Sequence, residues 1–141
     1  MDQNFLAADL SQRRNLSNQY AAKKNSNMLG RTRARQGFRD QRQDATKSFR
    51  QQTPQVASSY ASRGLGNSGV YRRGLQRFTN SYADQMGRID RGWQDSESQF
   101  TLNDASYRAW YDQELGRLDL EKAQRIADTA AGINGLRPLI G

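Results

Sequence analysis

From Leu75 to Leu118 large apolar residues recur at helical spacing: Leu75, Phe78, Tyr82, Met86, Ile89, Trp93, Phe100, Tyr107, Tyr111, Leu115 and Leu118, with Trp110 beside Tyr111. A row this long predicts one very long helix, or two placed end to end. Counting Glu97 and Asp104 as places in the row, its twelve steps average about 3.6 residues. That is the period of a straight α-helix, whereas a left-handed coiled coil repeats at about 3.5. The row therefore predicts packing in a bundle or ring rather than in a two-stranded rope.

Such a stripe needs a partner surface, and the chain is poor in the residues that make one. Leu, Ile, Val and Phe number 23 of 141 residues, or 16%. Below about 20%, with high net charge, composition falls in the range of disordered chains. The net charge is +8. Apolar burial at roughly 25 cal/mol per Å² must offset about 1–2 kcal/mol of ordering entropy per residue. A lone monomer is expected to fall short, and neighbouring subunits to make up the difference. The Leu75–Leu118 row, Trp110 included, is thus the expected assembly interface.

The remaining elements also read as helices, and with only two valines no segment shows strand-like alternation. Asp2 can cap a first helix with a thin face of Leu6, Leu10, Leu16 and Tyr20. Asn25, Ser26, Asn27 and Gly30 are expected to weaken or end it. Phe38, Ala45 and Phe49 suit a second helix, with Gly37 its weak point. Thr53-Pro54 reads as a new helix start, because proline at the first helical position forfeits no hydrogen bond. The long helix is expected over about 70–131, roughly 90 Å at 1.5 Å per residue. Its polar interval Asp95–Asp104 suggests a kink near Thr101, which with Asp104 fits a permissive capping box. Gly132, Asn134, Gly135 and Pro138 are expected to stop it. Gly74 and Gly92, eighteen residues apart, share one azimuth and can mark close approaches of another backbone. The expected fold is all-α: an elongated helical hairpin or bundle subunit with one very long C-terminal helix.

Charge divides the chain at residue 53. Residues 1–53 carry 11 Lys/Arg against 4 Asp/Glu, a net of +7; residues 54–141 carry 11 against 10, a net of +1. The first part reads as a basic Arg/Gln-rich helical arm. The second holds a short helix, a glycine-rich corner and the long amphipathic helix. Arginine outnumbers lysine 18 to 4, which favours forked hydrogen bonds to carboxylates or phosphates. Within the arm Arg31, Arg35, Phe38, Arg39 and Arg42 share an arc of a helix. Arginine interleaved with aromatics suits phosphate contact plus base stacking. The competing occupant is an acidic partner, such as the carboxylate-bearing long helix of a neighbouring subunit. No sequence-reading motif is present, so nucleic-acid binding at this segment would be non-specific.

Chemistry is sparsely represented. Cysteine and histidine are both absent, which removes thiolate and imidazole catalysis. The carboxylates of the long helix alternate with arginines, the pattern of a solvated or salt-bridged helix. No catalytic, cofactor or metal residue is assigned. Gly64-Leu65-Gly66-Asn67-Ser68-Gly69 matches G-x-G-x-x-G ahead of a helix, but no strand precedes it and no βαβ pattern surrounds it. It reads as a helix–helix corner made by Gly64, Gly66, Asn67, Ser68 and Gly69, with Asn67 or Ser68 as the cap. No apolar run reaches the roughly 18 residues of a membrane span, and no basic-then-apolar leader is seen.

Long helices rich in Gln, Arg, Ala and Asp, without Cys or His, are here joined through Arg63-Gly64-Leu65-Gly66-Asn67-Ser68-Gly69 and then Val70-Tyr71-Arg72-Arg73-Gly74-Leu75. In this the chain resembles small virion proteins of tailed bacteriophages, over roughly Val56 to Ala131. The resemblance implies a helical structural subunit of a symmetric multimer in the head–tail, neck or tail region of the virion. Its implied partners are copies of itself and other virion proteins. It carries over no catalytic residues. The alternative role is a DNA-contacting or ejected internal protein using the basic segment.

Overall fold

The computed structural model describes residues 2–66 and 68–140, with side chains described as far as residue 133. Two helices account for nearly all of it: α1, Gln3–Ser62, of 60 residues, and α2, Gly69–Ile140, of 72. They pack against each other as an all-α helical hairpin, and no strand occurs among the described residues.

Asp2 starts α1 as expected. Its Oδ1 accepts the Asn4 N–H at 3.0 Å, and its carbonyl accepts the Leu6 N–H at 3.2 Å. The first satisfies a donor that a helix N-terminus otherwise leaves unpaired, and the second is the first bond of the helix ladder. The expected end at Asn25–Gly30 does not occur; α1 remains helical there. The reason is tertiary. Asn27 is buried in a hydrogen-bonded layer, and Gly30 lies under the Phe100 ring. Thr53-Pro54 likewise starts no new helix, and Pro54 sits inside α1. The Thr53 hydroxyl donates to the Phe49 carbonyl at 2.7 Å, and Thr53, Val56 and Tyr60 around the proline are all half-buried. That packing holds the helix across a residue that removes one of its hydrogen bonds.

The corner ends α1 with a reciprocal pair of backbone bonds. Leu65 N–H reaches the Tyr60 carbonyl and Gly64 N–H the Ala61 carbonyl, each at 3.0 Å. This is the Schellman arrangement, which needs a left-handed residue at the position of Gly64, and Gly64 has φ +73°. Ser68 then caps α2, its Oγ accepting the Tyr71 N–H at 3.2 Å. Asn67, the other expected cap, lies outside the described residues. The expected stop of α2 is corrected: the helix continues past Gly132 to Ile140. Interior glycine costs a helix about 1 kcal/mol without forbidding it.

The hairpin divides into two compact units, Leu29–Phe100 and Met1–Met28 with Thr101–Gly141. Each takes one stretch from each helix, so the units cut across the division at residue 53 suggested by charge. In the Leu29–Phe100 unit, which holds the corner, Tyr60 meets Tyr71, Phe49 meets Tyr82 and Phe38 meets Trp93. In the unit that holds the termini, Asn27 meets Asp104 and Tyr20 meets Tyr111. Every one of these antiparallel pairs has residue numbers adding to 131. The rungs at Tyr60, Phe49 and Phe38 are eleven residues apart, as are Tyr71, Tyr82 and Trp93. Eleven residues in three turns is about 3.67 per turn, close to the straight-helix value. The same narrow face of each helix therefore returns to the seam at every rung.

Two helices make a seam, not an interior. Among the described residues the buried apolar ones are Leu16, Ala45 and Leu118, and the buried polar ones Asp9 and Asn27.

Candidate functional site

The apolar row of α2 finds its partner within the chain. Leu75, Phe78, Tyr82, Met86, Ile89, Trp93, Phe100, Tyr107, Trp110, Tyr111 and Leu115 are half-buried, and Leu118 is 1% exposed. Phe49 stacks on both Phe78 and Tyr82, with centroids 5.2 and 4.2 Å away. Tyr82 OH shares a 3.0 Å hydrogen bond with Thr46. Tyr20 stacks on Tyr111 at 4.6 Å, and the Lys23 ammonium lies 4.8 Å from the Trp110 ring and 5.4 Å from that of Tyr107. Each aromatic pair contributes about 0.5–1.5 kcal/mol beyond its buried area. The row is thus partly covered within the chain itself. The α1 face that covers it is thin in aliphatic residues but supplies aromatics at the rung positions.

The basic segment is largely engaged in the same seam. Arg31 Nε lies 2.9 Å from Glu97, Arg35 3.6 Å from the other oxygen of Glu97, and Arg42 pairs with Asp90. Phe38 stacks on Trp93 at 5.4 Å, with Arg42 over Phe38 and Arg35 over Trp93. The acidic partner foreseen on a neighbour's long helix is the chain's own long helix. Such half-exposed ion pairs are worth about 0–1 kcal/mol each, so they set complementarity more than stability. Arg39 remains exposed.

Two polar clusters were not anticipated. Asn27 Nδ2 donates to Asp104 Oδ1 at 2.6 Å, and Asn103 Nδ2 donates to Asn27 Oδ1 at 3.4 Å. Asp9, 5% exposed, accepts from Arg13 Nε at 3.0 Å, and Arg13 also reaches Asp119 at 2.8 Å. The hydrogen bonds from Asp9 and then Asp119 hold the Arg13 guanidinium above its ordinary pKa. A buried amide or ion pair specifies register, because slipping the helices leaves it unpaired. The sequence signal was present: Asn27 and Asp9 fall on the same helical row as Leu16, Tyr20 and Phe38.

The other face of α2 carries a second pattern. Leu102, Ala109, Gly116 and Ala123 recur every seven residues, with Leu120 and Ala127 interleaved, and all are exposed. Leu102 and Leu120 are 63% and 71% exposed, and a Cβ at Gly116 would meet nothing. Elsewhere, a groove of about 510 Å³ runs over Gly37, Phe38, Gly92 and Trp93. Its lining includes Arg88 but no carboxylate, so it offers no acid–base pair. Among the described residues no group of three or more metal-ligating side chains gathers, and no helix is long and apolar enough to cross a membrane.

No protein-family model, curated protein or solved structure matches the chain.

Proposed function

We propose that this chain is a structural subunit that acts through helix–helix assembly, in the head–tail, neck or tail region of a bacteriophage virion. The observation that carries the reading is the exposed seven-residue repeat of small and apolar residues on α2. Its four-three alternation, Leu102, Ser106, Ala109, Gln113, Gly116, Leu120, is the spacing that seats one helix against another. Alanine and glycine at those places allow a close approach of the partner helix. The exposed large apolar residues gather in the same unit: seven of nine, Leu6, Leu10, Met28, Leu102, Leu120, Ile126 and Ile133, lie outside Leu29–Phe100. The corner motif shared in style with small phage virion proteins gives the assembly its proposed setting.

The seam is tested with Leu120→Glu and Gly116→Glu. Each leaves the α1 face untouched, so helicity by circular dichroism is expected to hold while the sedimenting mass falls to that of a monomer. An unchanged mass for both variants contradicts the seam. The setting is tested by antibody labelling of purified particles, where labelling at the neck or tail is expected. Particles free of the chain contradict it.

A further inference from the structure

The excess positive charge is not spread over the molecule. The Leu29–Phe100 unit holds 13 Lys/Arg against 6 Asp/Glu, a net of +7, whereas the unit with the termini holds 9 against 8, a net of +1. Within the former, residues 45–83 carry Lys47, Arg50, Arg63, Arg72, Arg73 and Arg77 and no carboxylate at all.

Register makes this stretch different from the other basic stretch of α1. Residues 10–39 are also free of acids, but α2 brings Glu97 and Asp119 to Arg31, Arg35 and Arg13. Residues 48–83 include the corner and pair with themselves, as Phe49 with Tyr82 and Tyr60 with Tyr71 show. No carboxylate therefore comes opposite Arg50, Arg63, Arg72, Arg73 or Arg77 from either helix; Lys47, at the edge of the stretch, falls opposite Asp84. All six cations are exposed. Beside Arg63 a groove of about 430 Å³ is lined by Gln52, Gln55, Val56, Ser59 and Tyr60, whose amide and hydroxyl groups are suited to phosphate and sugar oxygens.

We propose that the corner end of the Leu29–Phe100 unit binds the phosphodiester backbone of nucleic acid without reading its sequence. Five of the six cations are arginines, whose planar fork matches phosphate oxygens in pairs. Arg73 and Arg77 stand one turn apart, about 6 Å along α2, within reach of successive phosphates. An acidic protein partner fits less well, since protein interfaces centre on apolar or aromatic anchors, and among the described residues of this stretch Val70 is the one large apolar residue exposed. The same lack of an apolar wedge disfavours an anionic membrane surface. The inference goes beyond the assembly role and does not depend on it.

The test is binding of a short labelled DNA duplex to the full chain by fluorescence anisotropy. With about six phosphates neutralised, the affinity is expected to fall about 10³-fold between about 50 and 200 mM salt. Replacing Arg63, Arg72, Arg73 and Arg77 together by Gln is expected to weaken binding at low salt at least tenfold. The salt slope should become shallower by about 0.9 for each phosphate that is no longer neutralised. Arg14→Gln with Arg108→Gln, exposed cations of the other unit, should leave both nearly unchanged. Circular dichroism verifies that both variants stay helical. The Leu120→Glu variant should bind as the unaltered chain does, which separates this site from the assembly face. Absence of binding at low salt, equal weakening in both Arg→Gln variants, or tighter binding to polyglutamate or to phosphatidylserine vesicles than to DNA would overturn the proposal.

Discussion

Single residues decide how closely the two helices meet. A Cβ on Gly74 would overlap the Tyr60 ring, whereas one on Gly92 would meet nothing. The two glycines share an azimuth in sequence, yet only Gly74 answers to a close approach, and the approaching group is a side chain rather than a backbone. Gly92→Ala is expected to raise stability by about 1 kcal/mol through helix propensity. Gly74→Ala should lower it, because the clash displaces the Tyr60–Tyr71 rung; thermal melts of the two variants check the opposite signs. Asn27 is the second such residue. Asn27→Ala leaves Asp104 short of its buried partner and should cost about 1–3 kcal/mol. Replacing Asn27 and Asp104 together by Leu should recover stability and loosen register, visible as altered cross-linking between cysteines placed at positions 38 and 93. Titration adds little to this balance. His and Cys, the side chains that titrate between about pH 5 and 9, are absent. The Arg13 guanidinium is raised above its ordinary value, so its stabilising contribution is full below that value and is lost only in stronger alkali. The melting temperature should accordingly stay nearly flat from about pH 6 to 9; a transition inside that window would reveal a titrating group with no place in this balance.

At the scale of elements, α2 was legible and α1 was not. The aromatic and aliphatic row of α2 stands out at helical period, and its start at the corner was placed within a residue. Local composition misread α1 at two points, Asn25–Gly30 and Thr53-Pro54, because both use weak helix formers for tertiary ends. Asn27 enters a polar layer, Gly30 makes room for Phe100, and the turn around Pro54 is held by Thr53, Val56 and Tyr60. Propensity reads each position alone and cannot see the opposite helix. The eleven-residue spacing of Phe38, Phe49 and Tyr60 was visible in the sequence and marks the face that receives Tyr71, Tyr82 and Trp93. Reading α1 as broken pieces concealed it. Pro54 is thus a helix-interior proline retained at a cost of up to about 3 kcal/mol. Pro54→Ala should stabilise the hairpin by a measurable part of that in a denaturant titration, whereas Gly64→Ala, forcing a side chain into the left-handed region, should destabilise it by about 1–2 kcal/mol.

At the scale of the whole molecule, the chain half-buries its largest apolar row and leaves others open. The row from Leu75 to Leu118 packs on α1, so the emphasis for an assembly role moves from that row to the exposed repeat through Leu102, Gly116 and Leu120. The candidate basic contact moves likewise, from Arg31–Arg42, whose charges meet Glu97 and Asp90, to the acid-free corner. Neither shift was readable beforehand, because each depends on which residues of α1 lie opposite which residues of α2. With only three buried apolar side chains among the described residues, a two-helix seam is a small store of stability. Association that buries the outer face of α2 should therefore raise the melting temperature with protein concentration. The most direct test follows mass by sedimentation equilibrium and melting by circular dichroism across a hundred-fold dilution series. The expected result is a mass above the monomer that falls on dilution, with the melting temperature falling alongside it. A concentration-independent monomer that melts cooperatively at one temperature would contradict the assembly role.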